Sequence, residues 1–391
     1  MAGYALVSAS QTSLAQSSTT SSSETPSATS TTQTVLDPTP FTSTRANAMG
    51  GALSTIADDL DALYYNPAMI GGLGYDSQSN KKSAWQGLYF PYAGASINEN
   101  GSKTRNQFNA QGAQNDAAAG AAILDANSGK RQYARASFIP IGFLLGRTAI
   151  VPLVDHQIAA VPVDGSPGEV LMRYRTVSGA VMGASIADQQ NRFSLGFSQT
   201  IGTIDETYGS FQYLDIAEAN DRKSAMNSNR KTYTAKSSNA GLTIRIPKAM
   251  IPTLSVVARD IGNTRNLATD SGEEPLIYDE DLTVGISISP KVGKNARFNL
   301  LLETGYLTQV HMAAKKKGRA GLELLLFGVD AKALLGIRAG ANEGGASYGA
   351  NLNLGLIGAS FESHAVNIGT NNERMIERRQ SYTVYINVAS F

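Results

Sequence analysis

Several short stretches of this chain have residue types that could do chemistry, and each fails on its surroundings. Gly345-Ala346-Ser347-Tyr348-Gly349 spells a nucleophile elbow, but that motif needs a strand before it and a helix after it. Here a Gly344-Gly345 pair precedes an alternating stretch, so the string reads as a Gly-rich turn. Asp155-His156 would be an acid–base pair only with a nucleophile nearby, and it reads as a polar turn between strands. His156, His311 and His364 stand too far apart to form a metal-ligand pair. Asn127–Arg131 lacks the leading Gly and the Ser/Thr of a phosphate loop. Asp58, Asp59 and Asp61 lack the Gly and Glu of a calcium loop, and placement at a helix N-terminus accounts for them. There is no cysteine, so thiolate chemistry, disulfides and Cys-ligated zinc are excluded. The expectation is a protein with no catalytic residue, no metal and no cofactor.

The net charge is +1, from 33 basic and 32 acidic residues, which gives no basis for a nucleic-acid partner. Lys315-Lys316-Lys317 with Arg319, and Arg374, Arg378 and Arg379, read as solvated turns, or as contacts to lipid phosphate at a membrane surface. Charged residues make up 17% of the 391, below the roughly 25% of soluble domains, and Gly is high at 38. No uncharged apolar run reaches the 18 or so residues of a spanning helix. The chain is therefore soluble or crosses a membrane as strands, and alternation in a barrel is compatible with a mean hydropathy of −0.16.

The elements point to strands. Phe193, Leu195 and Phe197 interleave with Ser194, Gly196 and Ser198; Leu282, Val284, Ile286 and Ile288 interleave with Thr283, Gly285, Ser287 and Ser289. The same period recurs at Leu242–Ile246, Phe298–Leu302 and Leu352–Leu356. The second face is crowded with Gly, Ser, Thr, Asn and a few charges, as a hydrated or plugged lumen would be. Strands are expected at 85–97, 134–146, 148–163, 168–187, 192–204, 208–218, 231–246, 252–262, 279–290, 296–309, 316–327, 330–340, 345–364 and 379–391. The 345–364 stretch is long enough for two, and fourteen is the even count taken. Ala113–Asn127 reads as a short helix in a long loop, and the sides on which the long connections lie cannot be assigned.

Before the strands comes Arg45–Leu73, RANAMGGALSTIADDLDALYYNPAMIGGL. Asn66 is a good N-cap, Pro67 suits the first helical position, and Gly71 or Gly72 offers a left-handed stop. One helix should therefore end near Tyr65 and a new turn begin after Asn66. This stretch resembles the N-terminal signature of FadL-type outer-membrane proteins and their PorV-like and TraF-like relatives. The resemblance rests on Met49-Gly50-Gly51-Ala52, Ala57-Asp58-Asp59 and Tyr64-Tyr65-Asn66-Pro67-Ala68, with Met69 where the family usually has Gly. Pro252–Thr264 and Ala339–Leu356 add weaker likeness.

The resemblance implies an all-β fold, a transmembrane antiparallel barrel of about fourteen strands with a helical hatch in its lumen. It implies passage of hydrophobic small molecules, long-chain fatty acids or similar, past that hatch. Asp58, Asp59, Tyr64, Tyr65, Asn66, Pro67 and Met69 would then line the path. A non-transporting PorV-like scaffold for a secretion or surface-attachment system is the alternative, and a soluble β-rich secreted protein is the third reading. Partners would be outer-membrane lipids, the barrel-assembly machinery, and a hydrophobic small molecule or a secretion-system component.

The expected organisation is an atypical or truncated signal peptide at 1–16, a Ser/Thr-rich disordered leader at 17–44 whose Val35–Phe41 end is the part that could enter structure, the hatch at 45–83 and the barrel at 84–391. A disordered N-terminus in a protein that is not exported is the other reading of the first residues. The last strand, ending at Phe391, resembles a barrel-assembly signal with Tyr385 and Phe391 as its aromatic residues. In that register Val384, Ile386 and Val388 lie on the opposite face, and a bulge would be needed to restore it.

Overall fold

The alternating segments pair in chain order into one antiparallel sheet, and its last strand returns to its first. The computed structural model describes residues 34–37, 41–72, 86–89, 92–113, 116–217, 219–269, 273–309, 312, 314–328, 333–355, 357–369 and 374–386. The strands are β1 (Gln86–Tyr89), β2 (Tyr92–Asn98), β3 (Gln132–Ile139), β4 (Gly142–Leu145), β5 (Thr148–Pro162), β6 (Glu169–Ala187), β7 (Phe193–Gln212), β8 (Arg230–Arg245) and β9 (Thr253–Arg259). They continue with β10 (Thr264–Asn266), β11 (Leu276–Tyr278), β12 (Asp281–Ile288), β13 (Ala296–Thr304), β14 (Gly318–Leu326), β15 (Leu335–Asn342), β16 (Gly345–Leu354), β17 (Ile357–Asn367) and β18 (Ile376–Ile386).

Two wall strands are each split in two. The β2–β3 ladder ends at Tyr92 opposite Ile139, and β1 meets β4 in the same register, Tyr89 opposite Gly142. Counting β1–β2 and β3–β4 as one strand each, and setting aside the separate β10–β11 hairpin, fourteen strands close through the β5–β6 and β18–β2 pairings.

The fourteen expected strands agree in number through two errors that cancel. Segments 192–204 and 208–218 are one strand, β7, and 345–364 is two, β16 and β17. Asp205 and Glu206 fall in the gap left between those two expected segments. Both lie within β7, where Glu206 takes Arg173 and Arg175, and Asp205 takes Arg230 and Thr232. Asp155-His156 likewise is no turn. It lies mid-strand in β5, with Asp155 buried on Arg135 and His156 outward beside Tyr174 and Thr176.

The alternation sorts the faces. Phe193, Leu195, Phe197, Ile286, Leu302, Leu322, Leu352 and Val384 are exposed on the outside. Arg135, Asp155, Arg175, Asn239, Glu303, Glu323, Arg338 and Arg379 are buried inside. A soluble sandwich would do the reverse; a barrel in lipid requires this arrangement.

The connections also sort by side. At one end the turns are short: 146–147, 188–192, 246–252 and 289–295. At the other stand the insertion after β2, with α3 (Glu99–Gln111) and α4 (Ala117–Ala126), the one after β7, with α5 (Tyr213–Ala217) and α6 (Ala219–Ser228), and the β10–β11 hairpin. The long connections therefore do share one side, which strand boundaries uncertain by a few residues had concealed. β6 and β7 run 19 and 20 residues, well past the roughly 9–11 that span a membrane. Their surplus is capped on the long-loop side by Phe108, Leu124, Tyr213 and Met226, which cover Val170, Met172 and Phe211.

A charge on the lipid face tests the assignment of faces. Leu302→Arg is expected to destabilise the barrel in lipid vesicles by about 2–4 kcal/mol in a urea titration. The same change at Leu267, in the loop beside β10, is expected to cost far less; equal costs would contradict the assigned faces.

Candidate functional site: the hatch in the lumen

The signature segment lies inside the barrel; Thr44–Ala48 meets the wall on β15–β18, Pro67–Gly72 meets it on β6–β8, and its apolar side chains join a cluster with β3–β5. It holds α1 (Thr44–Ala48), α2 (Ala62–Tyr65) and a 3₁₀ turn, Pro67–Gly72. The expected break is present: α2 ends at Tyr65, Asn66 is extended, and its Oδ1 accepts from the Ala68 N–H at 3.0 Å. The left-handed glycines are Gly50 and Gly51, with φ of +66° and +87°. Gly71 and Gly72, expected to stop a helix that way, instead stay within the 3₁₀ turn.

Wall glycines make the seat. A methyl on Gly340 would meet the Met49 backbone, and one on Gly196 would meet the Pro67 carbonyl. Several wall glycines, Gly183, Gly241 and Gly321 among them, thus serve close approach between wall and hatch.

Polar contacts then fix the hatch. Arg45 binds Glu323 of β14 with both arms, Nε to Oε1 and Nη2 to Oε2, each at 2.8 Å. Its Nη1 takes Asp58 and Asp59, the latter at 3.4 Å. Glu323 also accepts from Arg338 Nε and Asn299 Nδ2, both at 2.7 Å. The Ser54 N–H donates to Glu303 at 2.6 Å, and Asn66 Nδ2 donates to Ser54 O at 2.7 Å and Thr243 Oγ1 at 2.9 Å. Asp61 pairs with the Ser43 hydroxyl. The three aspartates are therefore ion-pair and hydrogen-bond anchors and not helix-dipole residues; Asp61 precedes α2 and makes no side-chain cap. Burial, then Asp59, push the Asp61 carboxyl well above its usual range against the hydrogen bond from Ser43.

Apolar contacts fill the rest. Phe41, Met49, Leu53, Leu63, Met69 and Ile70 share one buried apolar cluster with Ile139, Leu144, Ala149, Val151, Leu153, Val181 and Leu301 of the wall, and Tyr64 and Tyr65 pack against it. Where the cluster meets β3–β5 the β-ladder is interrupted. Pairing of β3 with β5 stops at Phe138 and Val154, and β4 resumes with β5 at Phe143 and Ile150, one residue out of register. The unpaired stretch holds Pro140 and Pro152, neither of which can donate to a ladder.

On the long-loop side of the hatch lies a cavity of about 130 Å³. Phe41, Tyr64 and Tyr65 form its hatch wall, and Val177, Ile204, Asp260, Tyr278 and Tyr306 lie among its other walls. Phe41 stacks on Tyr64 with ring centroids 4.5 Å apart.

Among solved structures, the chain is similar to two toluene transporters. It is 11% identical to TbuX of Ralstonia pickettii, covering 90% of this chain and 99% of that one at a TM-score of 0.46. It is 10% identical to TodX of Pseudomonas putida, covering 88% and 97% at 0.45. A Pseudomonas aeruginosa FadL homologue is 8% identical over 89% of this chain and 97% of that one, at 0.28. No family model matches the chain. No curated protein matches it either. At these levels neither identity nor TM-score carries a function from those proteins to this one.

Of the residues expected along the path, Tyr64 and Tyr65 face the cavity, Met69 is in the apolar core, and Asp58, Asp59, Asn66 and Pro67 anchor or shape the hatch. Tyr385 faces the lumen, where its hydroxyl meets Asn353, while Tyr382 is exposed outside. Phe391 lies outside the described residues. Phe41, Arg45, Asp260 and Glu323 were not anticipated. Glu323 and Arg338 sit on the polar phase of their strands, but only the barrel's register brings them to Arg45.

Gly340→Val should unseat the hatch without unfolding the wall. The expected result is a normally heat-modifiable barrel with at least about tenfold higher conductance in planar bilayers, since a fourteen-strand lumen is too wide for strand side chains to fill. A folded variant with parental conductance would show that the hatch does not depend on this seat.

Proposed function

We propose that this protein passes small hydrophobic molecules across the outer membrane, from the long-loop side, through the cavity and past a seated hatch to the interrupted ladder. The observation that carries this is apolar continuity: Phe41, Tyr64 and Tyr65 belong both to the cavity and to the cluster that packs on the interruption. The closed wall with its apolar outer face supports placement in an outer membrane.

The cavity narrows the substrate. A space of about 130 Å³ suits one aromatic ring or its equivalent; a long acyl chain would need the hatch to yield. Toluene, a single-ring hydrocarbon of that size, is therefore the first solute to try. A barrel serving only as a scaffold for a secretion system needs no apolar way through its lumen, so the cavity favours passage.

Leu153→Glu places a charge in the apolar patch, and it is expected to reduce toluene flux into proteoliposomes about tenfold or more, in line with the cost of an unpaired buried charge. Unchanged flux in a folded variant would remove the interruption from the path. Binding should also follow pH. Burial raises the Asp260 carboxyl to about 6, against hydrogen bonds from Ser237 and Thr264 and the charge of Arg259. Below that value the group is neutral and the cavity loses a charge, so toluene is expected to bind more tightly at pH 5 than at pH 7.5. Asp260→Asn should abolish the difference; a difference that persists would exclude Asp260 as its source.

A further inference from the structure

Three side-chain amides line the cavity beside the hatch, Asn239, Asn266 and Gln309. Two are committed to the protein. Asn239 accepts from the Asp260 N–H at 3.1 Å and donates to Ser198 Oγ at 3.3 Å. Asn266 accepts from the Lys236 N–H at 2.8 Å and donates to Leu276 O at 3.3 Å. Gln309 differs. It is only 4% exposed, and neither its Nε2 nor its Oε1 makes a hydrogen bond among the described residues.

The backbone that carries this amide is fixed. The Gln309 N–H donates to Tyr306 O at 3.1 Å, and its carbonyl accepts from the Met312 N–H at 3.2 Å and from Lys317 Nζ at 3.0 Å. Tyr306, with φ of +55°, turns the chain out of β13, and its N–H donates to the Asp281 carboxylate at the start of β12. The same carboxylate accepts from Arg259 Nη1 at 3.4 Å and from Thr283 Oγ1 at 3.2 Å. Arg259 is therefore held by one arm. Its Nε and Nη2, which form the other edge of the guanidinium, are buried without a partner among the described residues. The guanidinium carbon lies 5.8 Å from the centre of the Tyr65 ring. Asp281 thus brings an unspent donor edge and, through Tyr306, an unspent amide to one cavity.

Buried polar groups without partners are costly, and a guest that supplies the partners recovers that cost. The charged walls say which guest. Lys236 and Arg259 stand against Asp260, Asp279 and Asp281, so carboxylates outnumber cations and an anionic guest is disfavoured. A carboxamide offers one acceptor and two donors without charge, so it calls for a neutral guest that has both. The hatch wall of Phe41, Tyr64 and Tyr65 offers aromatic faces for a ring.

We propose that the cavity selects a neutral single-ring solute bearing a carbonyl next to an N–H, such as an aryl carboxamide. Arg259 donates to the carbonyl, Gln309 pairs with the amide, and the ring lies against the hatch aromatics. This rests on the lumen being a solute path and narrows its substrate from any small apolar molecule to a polar aromatic one; binding is measured apart from flux.

Equilibrium dialysis of benzamide, toluene and benzoate against the detergent-solubilised full-length protein at pH 7.5 tests it. Gln309→Met, which keeps the length and loses the amide, is expected to weaken benzamide relative to toluene about tenfold or more, a change of roughly 1.4 kcal/mol. Because the amide holds nothing within the protein, the same variant should unfold in urea at the parental midpoint or later. Benzoate should bind the parent at least about tenfold more weakly than benzamide, by the same charge argument. In the parent alone, benzamide should exceed acetophenone, which keeps the carbonyl and lacks the N–H, by a similar factor once each affinity is divided by the solute's partition into 1-octanol.

No binding of benzamide, an unchanged benzamide-to-toluene ratio in Gln309→Met, an earlier urea midpoint, benzoate bound as tightly as benzamide, or equal corrected affinities for benzamide and acetophenone would each overturn the proposal. Toluene flux into proteoliposomes separates it from the passage reading. Flux without a preference for benzamide removes the polar subsite alone, whereas a Gln309-dependent preference without flux removes passage and leaves the subsite.

Discussion

The two-armed ion pair between Arg45 and Glu323 is the contact on which the rest of this lumen depends. A wall of fourteen strands encloses more space than its own side chains fill, and what fills it here has little secondary structure of its own: two helices of five and four residues and a 3₁₀ turn. Helices so short are not stable alone. They hold their shape because the wall supplies charges at fixed heights and glycines where the backbone must come close. Arg45 draws Asp58 and Asp59 to the same point, so one guanidinium joins the start of the hatch, its middle and β14. Removing one partner of such a buried pair typically costs 3–5 kcal/mol, comparable to much of the stability of a small domain.

That arrangement divides the lumen. Ion pairs and hydrogen bonds seat the hatch on β7–β9, β13–β15 and β17, and the apolar cluster reaches the interruption between β3, β4 and β5. Polar anchoring on one side and apolar packing on the other is what a plug needs if it is to stay in place while small apolar solutes slip past one face. Dispersion contacts there are non-directional and re-form around a guest more readily than charge-assisted hydrogen bonds, which lose most of their strength when displaced.

Much of the fold was legible from alternation, because a strand with lipid outside and a filled lumen inside must repeat with period two. The hatch break was legible from Asn66-Pro67, where local stereochemistry alone decides the conformation. What the sequence concealed was long-range. The break left at Asp205-Glu206 was wrong because charges rarely sit mid-strand without partners, and their partners lie about 25 to 30 residues away. Asp58, Asp59 and Asp61 looked like helix-start residues because Arg45 and Ser43 become their partners only once the hatch is folded. Val35–Phe41 was legible as the part of the leader that could enter structure, but the burial of Thr34–Asp37 follows from arginines on β3, β6 and β18 that no local pattern could connect to it. The hatch boundary drawn at residue 44 consequently falls inside the packed segment, which is already ordered at Phe41 and Ser43.

The central claim is that solute passes while the body of the hatch stays seated. Ser54 and Ser255 place their hydroxyl oxygens 2.6 Å apart across the hatch–wall contact, and a cysteine at each position in this cysteine-free chain would staple the two. Toluene flux into proteoliposomes, measured with the staple oxidised and then reduced, decides the matter. Flux that stays within about twofold when the staple closes, a free-energy change of only some 0.4 kcal/mol, is the expected result. Flux abolished by oxidation and restored by reduction would mean that the hatch itself must leave, and would contradict the account.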